Sequence, residues 1–223
     1  MTDRWSRLAP LTGVLFAVLA VAAAFSNSAE SPEASASRAK VLAYYVGHRS
    51  EVETSAILFA LAFLVVVLFA GALRSYLRRT AAAEGLSALV LAGGIMMAVG
   101  ALVGTGIEYG VAHNLRSFTV QELHLLNFLS DEMFLPVLAG GFVFGICAGI
   151  AILRGAALPK WLGWAAIAIG IATIVPPASF PALLAFVVWS IVVSILMYLR
   201  LGAPSEEGAS TTQAAQPGIG AAA

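Results

Sequence analysis

Five residues between positions 108 and 131 carry the side chains that acid–base or metal chemistry uses: Glu108, His113, His124, Asn127 and Asp131. On a helix, His124, Asn127 and Asp131 are three and four positions apart and form one polar stripe. A histidine oriented by a carboxylate, with Glu108 and His113 close in sequence, supplies the residue types of a zinc site with an open position. The spacing argues against such a site. There is no HExxH, and the five residues from Glu108 to His113 do not put both on one helix face. The same residues read as a polar pocket that binds a ligand or senses pH, and also as solvated loop polarity. No cofactor is implied. The single cysteine, Cys147, lies in an apolar run, which excludes an intrachain disulfide, a Cys-rich zinc site and a redox pair.

Glu108 is the most informative of the five. It follows Gly104 by four residues and Gly100 by eight, so its carboxylate shares their helix face and points at a neighbouring helix rather than at lipid. An ionisable group there is either a functional residue or the marker of the water boundary. Desolvation there calls for a partner, and Arg49, His48, His113, Arg116 and His124 are the expected candidates.

The elements that must position these residues are membrane helices. The chain is 60% hydrophobic and 11% charged, where a soluble domain carries about 25% charged residues. Twelve basic residues balance twelve acidic ones, so no charge excess points to nucleic acid. Six apolar stretches, at 8–25, 55–73, 86–107, 133–153, 161–175 and 180–199, approach the ~20 residues that cross a bilayer core. None alternates as a barrel strand would. The fold class is therefore all-α, a polytopic bundle of six spans over 1–200, followed by a Gly, Ser, Thr, Gln and Ala tail at 201–223 that reads as disordered.

Charge sets the orientation. Arg4, Arg7, Arg74, Arg78, Arg79, Arg154, Lys160 and Arg200, eight of the twelve basic residues, fall on one side, against Arg38, Lys40, Arg49 and Arg116 on the other. The positive-inside rule puts the first group, and both termini, in the cytoplasm. The first span also reads as a secretory signal, with Arg4 and Arg7 before an apolar stretch and small residues at Ala22 and Ala24. The three arginines of the second loop read as a topogenic signal or as a lipid-phosphate patch.

The outer loops carry the remaining signals. Residues 26–37 are rich in Ser, Ala, Glu and Pro and read as mobile. From Arg38 a short amphipathic helix is expected on the outer surface, with Val41, Leu42 and Tyr45 on its apolar face and its tyrosines at headgroup level; Tyr44, His48 and Arg49 join the candidate binding residues. Thr119 with Glu122 forms a capping box and Phe118 with Leu123 a hydrophobic staple, so a helix begins near Val120. Gly100 and Gly104, and Gly141, Gly145 and Gly149, fall at GxxxG spacing. That pattern predicts a close contact between spans three and four in which Gly104 and Gly145 lie where backbones meet, with Gly94 off that face.

The stretches RLAPLTGVLF (7–16), YYVGHR (44–49), FAGALRSYLRR (69–79) and ALPKWLGW (157–164) resemble a family of six-span integral membrane proteins of high-GC bacteria whose function is unknown. The resemblance covers most of 7–200 and implies a six-helix fold in a bacterial inner membrane; it implies no activity. The leading functional expectation is a non-enzymatic protein that senses or binds a small or lipidic ligand at an outer polar cap. The alternative is a metal-assisted membrane hydrolase using Glu108, His113, His124 and Asp131. A small transporter stands third, because no charge lines the midplane. The expected partners are the bilayer and that ligand; no oligomeric state is implied.

Overall fold

The structure, a computed structural model, describes residues 8–202 apart from 28, 30, 34, 35, 81, 82, 156 and 157. Arg4, Arg7 and the tail at 203–223 lie outside the described residues. A 3-10 turn at Ala9–Leu11 leads into α1 (Thr12–Ser26), followed by α2 (Arg38–Gly47), α3 (Arg49–Leu77), α4 (Glu84–His113), α5 (Val120–Glu132), α6 (Phe134–Gly155), α7 (Lys160–Thr173) and α8 (Ser179–Gly202). Among the described residues there is no strand.

Five segments are long and apolar enough to cross a membrane: Ala9–Ser26, Arg49–Leu77, Glu84–His113, Val120–Gly155 and Pro176–Leu201. That is the build of a multi-pass membrane protein. The sixth expected span corresponds to α7, which at 14 residues is about 21 Å long, short of a hydrocarbon core of about 30 Å. Its shortness has a local cause. Pro159 stands at its N-cap, and Ile174 and Val175 turn the chain into the 3-10 helix Pro176–Ala178, which delivers it into α8.

α1 and α3 pack antiparallel. Ala23 near the end of α1 accepts a hydrogen bond from Ser55 near the start of α3, at 3.1 Å. Gly13 near the start of α1 lies against Phe69 of α3 and Ser194 of α8, so the chain's first and last described helices share an end. α4 and α6 meet backbone to backbone: a Cβ on Gly140 would lie 2.6 Å from the Met97 nitrogen and 2.7 Å from the Gly93 oxygen.

The expected contact between spans three and four is therefore present, and Gly100 takes part in it, since a Cβ there would lie 3.0 Å from the Val137 nitrogen of α6, but Gly145 faces elsewhere. Consecutive helix residues project about 100° apart, so when Gly140 and Phe144 face α4, the row Gly141, Gly145 and Gly149 faces α7. There a Cβ on Gly145 would meet Gly170 at 2.7 Å, and one on Gly149 the Gly163 oxygen at 2.5 Å. Gly104 meets Ser130 of α5 at an ordinary 3.5 Å, and Gly94, expected off the contact face, lies 2.6 Å from the Ala70 Cβ by the same construction.

The bundle interior is an apolar core running through α1, α3, α4, α6, α7 and α8. Its centre is aromatic. Phe144 packs edge-on against Phe186 (ring centroids 5.3 Å apart) and Trp189 (6.0 Å), and Phe69 stacks on Phe144. The one polar atom of that group is satisfied, as Trp189 Nε1 donates to the Leu162 carbonyl of α7 at 3.0 Å. A second apolar cluster sits at the end of the bundle where α3 begins and α4 finishes.

Candidate functional site

α2 forms where expected, with Ser37 at its N-cap accepting from the Lys40 amide. Its apolar face does not lie on lipid. Val41, Tyr44 and Tyr45 are buried against Val52 of α3, Val111 and Ala112 of α4 and Leu123 of α5. The tyrosines are thus core residues of a protein cap rather than headgroup anchors, because the helices beneath them supply an apolar surface that an isolated amphipathic sequence does not reveal. Burial pushes the Tyr45 phenol well above its usual range, and the nearby Glu108 carboxylate adds to that. Burial also raises Tyr44, opposed by hydrogen bonds from Asn27 and Ser31.

α5 starts at Val120 behind the expected capping box: the Thr119 amide donates to Glu122 Oε2 at 2.7 Å and the Glu122 amide to Thr119 Oγ1 at 3.3 Å. Phe118 and Leu123, the staple, share the cap cluster. This fixes the register of the polar stripe. Asn127 is buried and donates to the Pro32 carbonyl at 3.3 Å; His124 Nε2 lies 3.1 Å from the Ala36 carbonyl. Asn27 Nδ2 reaches Tyr44 Oη at 2.6 Å. The described residues of 27–37, expected to be mobile, are therefore a strap tied at three points across the cap. Its few apolar side chains add to the hold, since Ala29 and Ala36 pack on the same cluster.

Glu108 faces this assembly from α4. Its carboxylate is partly buried and accepts from Ser130 Oγ at 3.3 Å; the same hydroxyl lies 3.2 Å from the Gly104 carbonyl. The face of α4 carrying Gly104 and Glu108 therefore does meet a neighbouring helix, and that helix is α5. Among the described residues no ion pair involves Glu108, so the expected cationic partner is replaced by a hydroxyl. Most of the expected partners are engaged elsewhere. Arg49 Nε and His113 Nδ1 both approach Glu53 Oε1, at 3.1 and 3.5 Å, and Arg49 Nη2 donates to the His113 carbonyl at 2.8 Å. His48 pairs with Glu51 at 3.5 Å.

Two residues of this site escaped the sequence reading. Glu53 stands four after Arg49, an ion-pair spacing that becomes visible once α3 is known to begin at Arg49 rather than near 55. Ser130 stands three after Asn127 on the stripe already identified. Of the four residues named for a hydrolase, Glu108 bonds Ser130 and lies near enough to Asp131 for their charges to interact, while His113 faces Glu53 and His124 faces the strap. Among the described residues no three His, Cys, Asp or Glu side chains are grouped so as to hold a metal ion. The site can accept hydrogen bonds through Glu108, which lies close to the buried phenols of Tyr44 and Tyr45.

Comparison with known proteins adds no second source. No family model, no curated protein and no solved structure matches the chain.

Proposed function

We propose that this is a non-enzymatic, six-crossing protein of a bacterial inner membrane whose extracytoplasmic cap binds a small or lipidic ligand that presents a hydrogen-bond donor to Glu108. Two features support the sixth crossing. α7 runs along α6 from the level of Leu153, beside Gly163, to that of Leu138, whose carbonyl accepts from Thr173 at 3.3 Å. It also returns the chain so that α8 packs antiparallel to it, with Trp189 against Leu162. The exposed Trp161 and Trp164 at its start suit a membrane interface. The basic residues 74, 78, 79, 154, 160 and 200 at the end away from the cap support cytoplasmic termini.

The observation that carries the ligand reading is the Glu108 carboxylate, partly buried among Ser130 and the cap tyrosines with no described cation to neutralise it. A carboxyl oxygen in that position, partly removed from competing water, holds an incoming donor more strongly than it does in water. The test is extraction of small molecules from detergent-purified protein. Wild type should carry a species that Glu108→Gln and Ser130→Ala lose at unchanged thermal stability; identical extracts from all three would refute the reading.

A further inference from the structure

The opposite end of the bundle carries a second feature that the cap reading does not use. Among the described residues it collects Arg74, Arg78, Arg79, Arg154 and Lys160, and no described ion pair involves any of the five cations. The ends of α3 and α6 are joined there, because Gly155 lies directly against Thr80. Arg79 is occupied in a different way, its guanidinium 5.5 Å over the Tyr76 ring. Arg74 is the anomaly. Its Nε is shut off from solvent and has no hydrogen-bond acceptor among the described residues, although guanidinium donors removed from water nearly always find one.

Arg74 and Arg78 are four residues apart, on one face of the last turns of α3. One turn below them on that face is Gly71, where a side chain would meet nothing within 4 Å. The arrangement is an unfilled stretch of helix surface on the apolar part of α3, topped by two guanidinium groups at its polar end. We propose that this surface binds an anionic phospholipid, with the headgroup phosphate accepting from the outward Nη end of Arg74, whose Nε faces the protein, and from Arg78, and an acyl chain lying over Gly71. Guanidinium groups match phosphate oxygens in a fork geometry. The open space on the membrane-crossing part of α3 selects a lipid over free phosphate, which has nothing to place there. The inference rests on the embedding of α3 in a membrane and is independent of the cap ligand.

The test is native mass spectrometry and thermal unfolding of the full-length protein in detergent, with phosphatidylglycerol, phosphatidylcholine or inorganic phosphate added separately. Phosphatidylglycerol should be retained and raise the unfolding temperature, phosphatidylcholine should do neither, and inorganic phosphate should not displace the bound lipid. Arg74→Lys keeps the charge and loses the fork, so it should weaken phosphatidylglycerol retention about tenfold, while Arg79→Lys should leave it unchanged. Equal retention by wild type and Arg74→Lys would reduce the feature to a non-specific basic surface and overturn the proposal. So would equal effects of the two lipids, or stabilisation and displacement by inorganic phosphate alone. A fold defect in Arg74→Lys is read separately, from its unfolding temperature without lipid, and Arg78→Gln then supplies the same comparison.

Discussion

The α4–α6–α7 seam and the cap above α4 are both tightly held, by opposite means. The seam is dry and has no side chains at its closest points: Gly93 faces Gly140, and Gly145 faces Gly170, with backbones in contact. The cap is held by side chains reaching to backbone carbonyls, His124 to Ala36 and Asn127 to Pro32, over an apolar cluster of its own. In lipid, apolar burial gives helices little reason to associate, so close backbone packing must do it. At the cap, where water competes, burial and hydrogen bonds to the strap carry the load. The seam should therefore tolerate no added atoms, and the cap should tolerate them while losing its ties.

The largest expected effect breaks the seam. Gly140→Ala places a methyl against the α4 backbone at Gly93 and Met97 and should cost on the order of 1–3 kcal/mol of stability, seen as a lower unfolding temperature in detergent. Gly106→Ala, with nothing within 4 Å, should gain up to about 1 kcal/mol from helix propensity. Loss of stability in both variants would mean that glycine content, not the seam, sets the packing.

A smaller effect sharpens the cap side. Asn127→Ala leaves the buried tie to Pro32 unmade and should cost about 1 kcal/mol, with faster hydrogen exchange confined to the described strap residues and α2. Acceleration spreading into α6 and α7 would show that the two regions do not behave separately.

The smallest effect is silent at neutral pH. Because burial raises the Tyr45 phenol, the unfolded chain ionises first. The contribution of Tyr45 is thus intact below about pH 10 and is lost as pH climbs toward the folded value. Thermal unfolding measured between about pH 9 and 11 should fall more steeply for wild type than for Tyr45→Phe. Matching slopes would place that phenol in water.

The sequence made some of this legible and left some hidden, for physical reasons. Helix content and most span positions follow from apolar length, and the start of α5 follows from a local signal, the Thr119–Glu122 box, that works wherever the helix sits. The glycine rows announced close approaches without naming partners, since a gap in a helix surface is the same whichever neighbour fills it. Hence Gly145 was expected against α4 and lies against α7. Likewise the apolar face of α2 has one pattern whether it rests on lipid or protein, and only the assembled α3, α4 and α5 decide. Glu53 and Ser130 were missed because their roles depend on tertiary neighbours and on where α3 begins. Five helices meet the length a membrane demands, and α7 does not.

That shortfall gives the molecule a thin side. Beside α3, whose apolar stretch 55–73 spans 19 residues, the apolar wall rises about 28 Å, while beside α7 it rises about 21 Å. Lipids cannot leave a step in their surface, so if α7 crosses as proposed the leaflets dip toward it at a cost that grows with each ångström of mismatch. The protein is then favoured where the bilayer is already slender, and the thickness of the surrounding membrane becomes a quantity that this fold feels.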